Sequence, residues 1–169
     1  MTANNSDTLE FTRILNAPCE IVFKAWTDPE IMKRWWGPNG FTTPVCEIDL
    51  RPGGIFHYCM RSPEGRDYYG EGIYREISPP ERLAYTDFFV DEKGNPVSAE
   101  YYGLSRDWPQ QSEIIVTLSE QGDKTKLILR YENVLPTGKD REMCVTGWTE
   151  TLDRLAKEVD RFGHSLSQR

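Results

Sequence analysis

Two residues with reactive or metal-binding side chains stand two positions apart near the middle of the chain, His57 and Cys59. In an extended strand this spacing places both on one face, and imidazole with thiolate can begin a zinc site or form a reactive pair. No other residue converges on them by spacing, and strand alternation puts them opposite Phe56 and Tyr58, towards solvent. The sequence therefore predicts no metal site, and the other histidine, His164, is expected to be solvated.

Six carboxylic acids and phenols could exchange protons with a molecule bound in a cavity: Tyr58, Glu71, Tyr74, Glu76, Tyr85 and Asp87. Glu76 stands out because regular alternation puts it on the same face as Gly72 and Tyr74. The alternative is that Glu76 lies near a strand end and pairs with Arg82. The chain lacks the Gly-x-Ser-x-Gly, Walker-type and Gly-x-Gly-x-x-Gly motifs, which argues against hydrolase, kinase and dinucleotide-dependent activities. The sequence thus assigns no catalytic residue and no cofactor, and it leaves enzymatic activity open.

These residues lie on a run of predicted strands joined by short turns, an arrangement that favours antiparallel pairing. Alternating apolar and polar residues, bounded by turn residues, predict the strands: 9–15, 45–50, 55–61, 68–77, 82–90, 114–118 and 127–131. Between the first two strands, Pro18 and the pair Asp28-Pro29 indicate the starts of two short helices. The segment 91–111 is the longest irregular stretch, and loops of that length are often functional.

A long amphipathic helix near the C-terminus is the clearest signal in the sequence. Its apolar residues are spaced 3, 4, 3, 4 and 3 apart: Val145, Trp148, Leu152, Leu155, Val159 and Phe162. Charged residues, Glu158 among them, are expected on the solvent-exposed face of this helix. Strands followed by a separate helix predict an α+β fold. We expect one domain over 9–162, with flexible termini at 1–8 and 163–169.

The composition excludes some classes of partner. The 169 residues carry a formal net charge of −7, and an acidic surface disfavours nucleic acid. The N-terminus does not resemble a secretory signal and no apolar run is long enough to span a bilayer, so no membrane association and a cytoplasmic location are expected. The four cysteines contain no Cys-x-x-Cys pair, which indicates reduced thiols.

The sequences of several segments, and their order along the chain, resemble the activator of heat-shock protein 90 ATPase homologue family, within the START-like helix-grip superfamily. The matching segments are Asn16-Ala17-Pro18, Val22 to Pro29, Arg34 to Pro38, Asp49 to Gly54, Glu76-Ile77 through Pro80-Glu81-Arg82-Leu83, and Gly147-Trp148 with Leu152, Leu155 and Ala156. The resemblance spans Leu9 to Phe162. It implies a curved antiparallel sheet around a long C-terminal helix, with two short helices after the first strand. The superfamily also holds lipid carriers, hormone receptors and polyketide cyclases, so the fold alone does not settle the chemistry.

A sheet that curls around a helix leaves a cavity unless large side chains fill it. The inward candidates combine large residues with glycines: Phe56, Tyr58 and Met60 beside Gly70, Gly72 and Tyr74. Such a surface suits an apolar ligand, although the glycines could instead serve sheet curvature while the aromatic rings simply pack. Trp26 is assigned to the core. The predicted ligand-binding residues are Trp35, Trp36, Phe56, Tyr58, Met60, Gly72, Tyr74, Glu76, Trp148 and Leu152.

Three functions follow as hypotheses. The first is a non-catalytic binder of a small hydrophobic or amphipathic molecule. The second is a cyclase or aromatase-type enzyme that uses cavity tyrosines and a carboxylate such as Glu76 on a polyketide-like or aromatic substrate. The third is a co-chaperone-like interaction module that uses the Trp35-Trp36 region or the segment 91–111, and its motivation is mainly the family name. A homodimer is compatible with all three.

Overall fold

A single seven-stranded antiparallel sheet forms the frame of the computed structural model, which describes residues 7–134 and 137–167 and side chains as far as residue 161. The strands are β1 (Thr8–Leu15), β2 (Thr42–Ile48), β3 (Ile55–Arg61), β4 (Asp67–Ser78), β5 (Arg82–Val90), β6 (Ser112–Gln121) and β7 (Lys124–Glu132). Their order across the sheet is β1-β7-β6-β5-β4-β3-β2. Short turns join β2 to β5 and β6 to β7 into hairpins, the segment 91–111 joins β5 to β6, and the first strand pairs with β7 at the edge of the sheet.

Three helices accompany the sheet: α1 (Cys19–Thr27), α2 (Pro29–Trp35) and α3 (Lys139–Ser167). The side chain of Asp28 caps α2 by accepting a hydrogen bond of 2.9 Å from the backbone N–H of Glu30, and Pro29 occupies the first helical position. Both residues act there as the sequence predicts, because the carboxylate satisfies an N–H that has no partner within the helix.

The hydrophobic core lies between the inner face of the sheet and the three helices. Leu152, Leu155 and Val159 of α3 are each at most 1 % exposed, and they pack on sheet residues such as Leu127 and Leu129. The first half of α3 is looser, since Val145 is 38 % exposed and Trp148 is half-buried. The apolar stripe is thus confirmed in its middle, whereas the side chain of Phe162 lies outside the described residues.

A β-bulge in β4 changes which side chains face inwards. Tyr74 pairs with Tyr85, but the next pair is Glu76 with Ala84, so Arg75 is the extra residue. The bulge moves Glu76 to the outer face, together with Ala84, and returns Ile77 to the inner one. The prediction that Glu76 shares the face of Tyr74 is therefore wrong.

The segment 91–111 folds over the ends of β4 and β5 and contains a short 3-10 helix, Ala99–Tyr102. The buried Tyr102 hydroxyl donates to the carbonyl oxygen of Val90 at 2.5 Å and accepts from the N–H of Tyr69 at 3.1 Å. The backbone N–H of Ser105 donates to a carboxylate oxygen of Asp140 at 3.1 Å, which ties the segment to the start of α3.

These elements confirm the α+β helix-grip fold, with two short helices after the first strand and a long helix at the end. The sheet begins at Thr8, within the predicted N-terminal tail, and α3 continues to Ser167, beyond the predicted end of the domain. Residues 1–6 and 168–169 of the tails expected to be flexible lie outside the described residues.

Candidate functional site

Aromatic rings fill the centre of the space between the sheet and the helices. The ring of Trp36 lies 5.3 Å, centroid to centroid, from both Phe56 and Tyr58, and 5.7 Å from Trp148. Trp35 is fully buried, and its indole N–H donates to the carbonyl oxygen of Ala25 at 3.1 Å. Both members of the Trp35-Trp36 pair therefore belong to the core, and neither is an exposed anchor.

The glycines of β4 make room for rings from the neighbouring strands. A Cβ atom added at Gly70 would lie 2.3 Å from the Tyr58 oxygen, and one added at Gly72 would lie 2.7 Å from a ring carbon of Tyr85. Of the two readings of these glycines, the structure favours close packing of the aromatic rings at both positions.

A polar group interrupts this apolar space on β5. Asp87 follows Tyr85 by two residues and so shares the inner face, where the Tyr58 hydroxyl donates to its carboxylate at 3.2 Å. Burial raises the pKa of Asp87 to about 6, and the Tyr58 hydrogen bond opposes that rise only in part. Among the described residues, the Tyr58 hydroxyl is the one hydrogen-bond partner of the Asp87 carboxylate.

Further ionisable groups surround Asp87. Burial raises the pKa of Tyr58, Tyr85 and Tyr131 well above the ordinary phenol value, with the Asp87 charge as the next cause for each. Burial likewise raises the pKa of the Cys144 thiol on α3 to about 12. All of these side chains are therefore uncharged at neutral pH. The Tyr85 hydroxyl is buried without a hydrogen-bond partner among the described residues.

The polar cluster lies under the looser half of α3. Asp87, Met60, Cys144 and Trp148 are all half-buried, whereas Phe56 beneath them is fully buried. We call this region the α3 entrance: Met60, Asp87, Cys144 and Trp148. It is one of the regions where side chains packed against the core are only partly buried.

The structure brings most predicted site residues together and separates one. Nine of them are buried in the core or packed against it: Trp35, Trp36, Phe56, Tyr58, Met60, Gly72, Tyr74, Trp148 and Leu152. Glu76 lies on the outer face, where Arg82 donates to its carboxylate at 2.9 Å. The alternative pairing with Arg82 is the one observed. Asp87 is absent from the predicted binding set, although alternation from Tyr85 would have placed it inwards.

His57 and Cys59 lie on the outer face, but the expectation that both face solvent is wrong. Cys59 is fully buried between its cross-strand neighbours Val45 and Tyr69. His57 is half-buried, and its Nδ1 lies 2.8 Å from a carboxylate oxygen of Glu71. A groove of about 460 Å³ opens beside this pair. Within the described residues, no group of three His, Cys, Asp or Glu side chains is placed to hold a metal ion.

Glu158 also departs from expectation. It is 4 % exposed rather than on the solvent-exposed face of α3, and it lies between Arg34 and Arg161, which both bond to its carboxylate. The 3, 4 spacing of the apolar stripe does not reveal this burial, because the packing partner is an arginine of α2.

No described helix is both long enough and apolar enough to cross a membrane.

The seven-stranded sheet, the long C-terminal helix and the two short helices after the first strand define a protein of the helix-grip, START-like class. The chain belongs to the family described as Activator of Hsp90 ATPase homolog 1-like protein, whose model matches residues 16–160. The resemblance drawn from the sequence segments is thereby confirmed.

Solved structures share the fold. A protein from Chromobacterium violaceum is 30 % identical with a TM-score of 0.75, and the match covers 91 % of this chain and 97 % of that one. A protein from Nitrosomonas europaea is 23 % identical with a TM-score of 0.76, covering 94 % and 97 %. An AHSA1 protein from Silicibacter pomeroyi is 24 % identical with a TM-score of 0.68, covering 90 % and 96 %. No curated protein matches the chain.

Proposed function

We propose that the protein binds a small hydrophobic or amphipathic molecule in the space between the inner face of the sheet and the first half of α3. The aromatic residues supply an apolar wall, and the Asp87–Tyr58 pair supplies a polar contact at one end. A mostly apolar site with a few convergent polar groups is the usual construction of a small-molecule pocket.

The observation that carries this proposal is the environment of Asp87. A carboxylate on the inner face of a sheet is costly to bury without a cation, and here Tyr58 is its one hydrogen-bond partner among the described residues. As a residue, Asp87 is half-buried, and it belongs to the α3 entrance. An N–H or O–H group of a ligand that enters there would offset part of the cost of burying Asp87.

Entry of a ligand requires α3 to yield near Cys144 and Trp148, where its side chains are half-buried. From Leu152 onwards α3 is anchored by Leu152, Leu155 and Val159, so we infer that the ligand enters over the part of the helix that precedes Leu152. Regions with few buried apolar contacts open at the lowest free-energy cost.

The first test is native mass spectrometry of the purified protein, compared with the same sample after denaturation. A reproducible added mass that disappears on denaturation supports the proposal and supplies the ligand for identification. If the spectrum shows the mass of the protein alone, the next test is a titration of the protein with a defined probe, the apolar fluorophore N-phenyl-1-naphthylamine.

Two tryptophan variants locate the probe. Cys144→Trp fills the α3 entrance, and Met143→Trp, at a position that is 51 % exposed, adds the same side chain outside it. We expect Cys144→Trp to weaken probe binding at least tenfold, which corresponds to about 1.4 kcal/mol, while Met143→Trp leaves it unchanged. Absence of probe binding by the unmodified protein, or equal binding by both variants, would refute a ligand site under α3.

The Asp87–Tyr58 pair also favours a second function, proton transfer to or from a bound substrate. A carboxyl group with a pKa of about 6, beside a phenol, is suited to acid–base exchange near neutral pH. In that case Asp87→Asn would retain ligand binding and lose turnover, whereas a pure binding protein has no turnover to lose. An activating role at a heat-shock protein ATPase rests on the family description alone, and we do not propose it.

All four cysteines are free thiols, which supports a reducing compartment and hence a cytoplasmic location.

A further inference from the structure

A second groove, of about 430 Å³, lies where the end of α2 meets the second half of α3. We call it the basic groove, and its lining residues are Arg34, Arg154, Lys157, Glu158 and Arg161. Four of the five are cations, in a chain whose net charge is −7. The groove does not overlap the α3 entrance.

Arg154 is held in place by neutral groups. Its guanidinium donates to the carbonyl oxygens of Gly37 at 2.8 Å, Pro38 at 2.9 Å and Arg34 at 3.3 Å. These carbonyl oxygens orient the side chain without cancelling its charge. The positive charge of Arg154 is therefore fixed at the wall of the groove, and little conformational entropy remains to be lost when a ligand binds there.

Glu158 neutralises only part of the remaining charge. Its buried carboxylate accepts from Arg34 at 3.2 Å and also from Arg161. The side chains of Arg34 and Arg161 are 56 % and 72 % exposed, and each guanidinium has more N–H donors than its bond to Glu158 uses. One carboxylate thus orients two cations and leaves an excess of positive charge.

Lys157 adds a fourth cation next to this pair. It is exposed, and no ion pair or hydrogen bond joins it to another of the described residues. Elsewhere on the molecule most arginines face a carboxylate, for example Arg61 with Asp67 and Arg130 with Glu10. The basic groove is unusual because its cations outnumber its acids by four to one.

We propose that the basic groove binds a multivalent oxyanion, the phosphate group of a soluble small molecule. Guanidinium forks match the oxygen geometry of phosphate, and a lysine contributes a mobile point charge. Hydrogen bonds of this charge-assisted kind are stronger than those between neutral groups.

The test is isothermal titration of the full chain with inorganic pyrophosphate in low-salt buffer at pH 7.5, with sodium chloride as the reference titrant. We expect saturable binding with a Kd below about 1 mM that weakens as salt rises. Lys157→Gln should weaken it by about threefold, the size expected for one exposed ion pair.

Glu158→Gln should have the opposite effect. It removes the one negative charge in the groove and releases N–H donors of Arg34 and Arg161, so pyrophosphate should bind more tightly. Each variant has a partner of equal charge change on the β6–β7 hairpin: Lys124→Gln for the lysine, and Glu120→Gln for the glutamate. Thermal unfolding of all four variants identifies any that fail to fold.

Opposite shifts for Lys157→Gln and Glu158→Gln, with neither hairpin control changing affinity, would establish the site. No saturable heat, or equal shifts in the groove variants and their hairpin controls, would overturn it. Binding to vesicles that contain phosphatidic acid, without binding to pyrophosphate, would also refute a soluble ligand. These outcomes are independent of the site under α3, because the N-phenyl-1-naphthylamine titration reports that site separately.

Discussion

At the scale of single residues, Asp87 sets a pH dependence of stability that can be measured without knowing the ligand. Its carboxyl group has a pKa of about 6 in the folded protein against an ordinary value of 3.8. The folded state therefore holds the proton more tightly than the unfolded state. Consequently, the contribution of Asp87 to the free energy of unfolding falls as pH rises from about 4 to about 6, and stays low above that range.

Asp87→Asn should remove this fall in the free energy of unfolding with rising pH. We expect the variant to be more stable than the unmodified protein at pH 8, by up to about 3 kcal/mol, and the difference to shrink towards pH 4. Urea unfolding at several pH values measures it. The control is Asp107→Asn, at an exposed aspartate, which should show no such trend. A pH-independent difference for Asp87→Asn would mean that the carboxyl group titrates in the folded protein as it does in water.

At the scale of secondary-structure elements, the inner face of β4 depends on two missing side chains. A Cβ atom at Gly72 would lie 2.7 Å from the backbone oxygen of Thr86 and 2.7 Å from the ring of Tyr85. We expect Gly72→Ala to destabilise the protein by about 1–3 kcal/mol, because a strand and a buried ring must both move.

The matched control lies on α3. At Gly147 an added Cβ atom would meet its nearest atom, in Pro38, at 3.7 Å, an ordinary contact. Gly147→Ala should stabilise the protein by about 0.5–1 kcal/mol, since alanine is the better helix former. Equal losses for Gly72→Ala and Gly147→Ala in urea unfolding would show that the β4 inner face is not closely packed.

The strands and helices could be predicted from the sequence because apolar periodicity and turn residues are local signals. The bounds of β3 and β5 agree with the prediction, as does the Asp28 cap. The face of Glu76 could not be predicted, since a bulge leaves no mark in a run of alternating residues. Glu158 was misplaced for a related reason: its burial depends on Arg34, which is 124 positions away in the chain.

The candidate site was predictable only in its apolar part. Aromatic residues and glycines on alternating strand positions predict an apolar inner face on β3 and β4, and the structure has it on those strands. The polar contact depends on Tyr58 of β3 reaching across Gly70 and Gly72 to Asp87 of β5. Such a contact requires the register of three strands, which the sequence pattern does not specify.

At the scale of the whole molecule, the four cysteines report how tightly the fold encloses its interior. Cys19, Cys46 and Cys59 are buried and Cys144 is half-buried. Burial raises the pKa of Cys46 and of Cys144 to about 12 and raises that of Cys59. Because the thiolate is the form that reacts with alkylating agents, native protein at pH 8 should react with iodoacetamide only through molecules that have opened.

We expect intact-mass spectra to show at most one added carbamidomethyl group in native buffer, on the half-buried Cys144, and four in concentrated urea. The modification of Cys19, Cys46 and Cys59, which are buried, should follow the fraction unfolded as urea is raised, so that these three thiols react together. Rapid modification of Cys144 alone in native buffer would indicate that the first half of α3 lifts from the sheet without global unfolding. In that event N-phenyl-1-naphthylamine should slow the reaction, because the probe and the reagent would compete for the same opening at the α3 entrance.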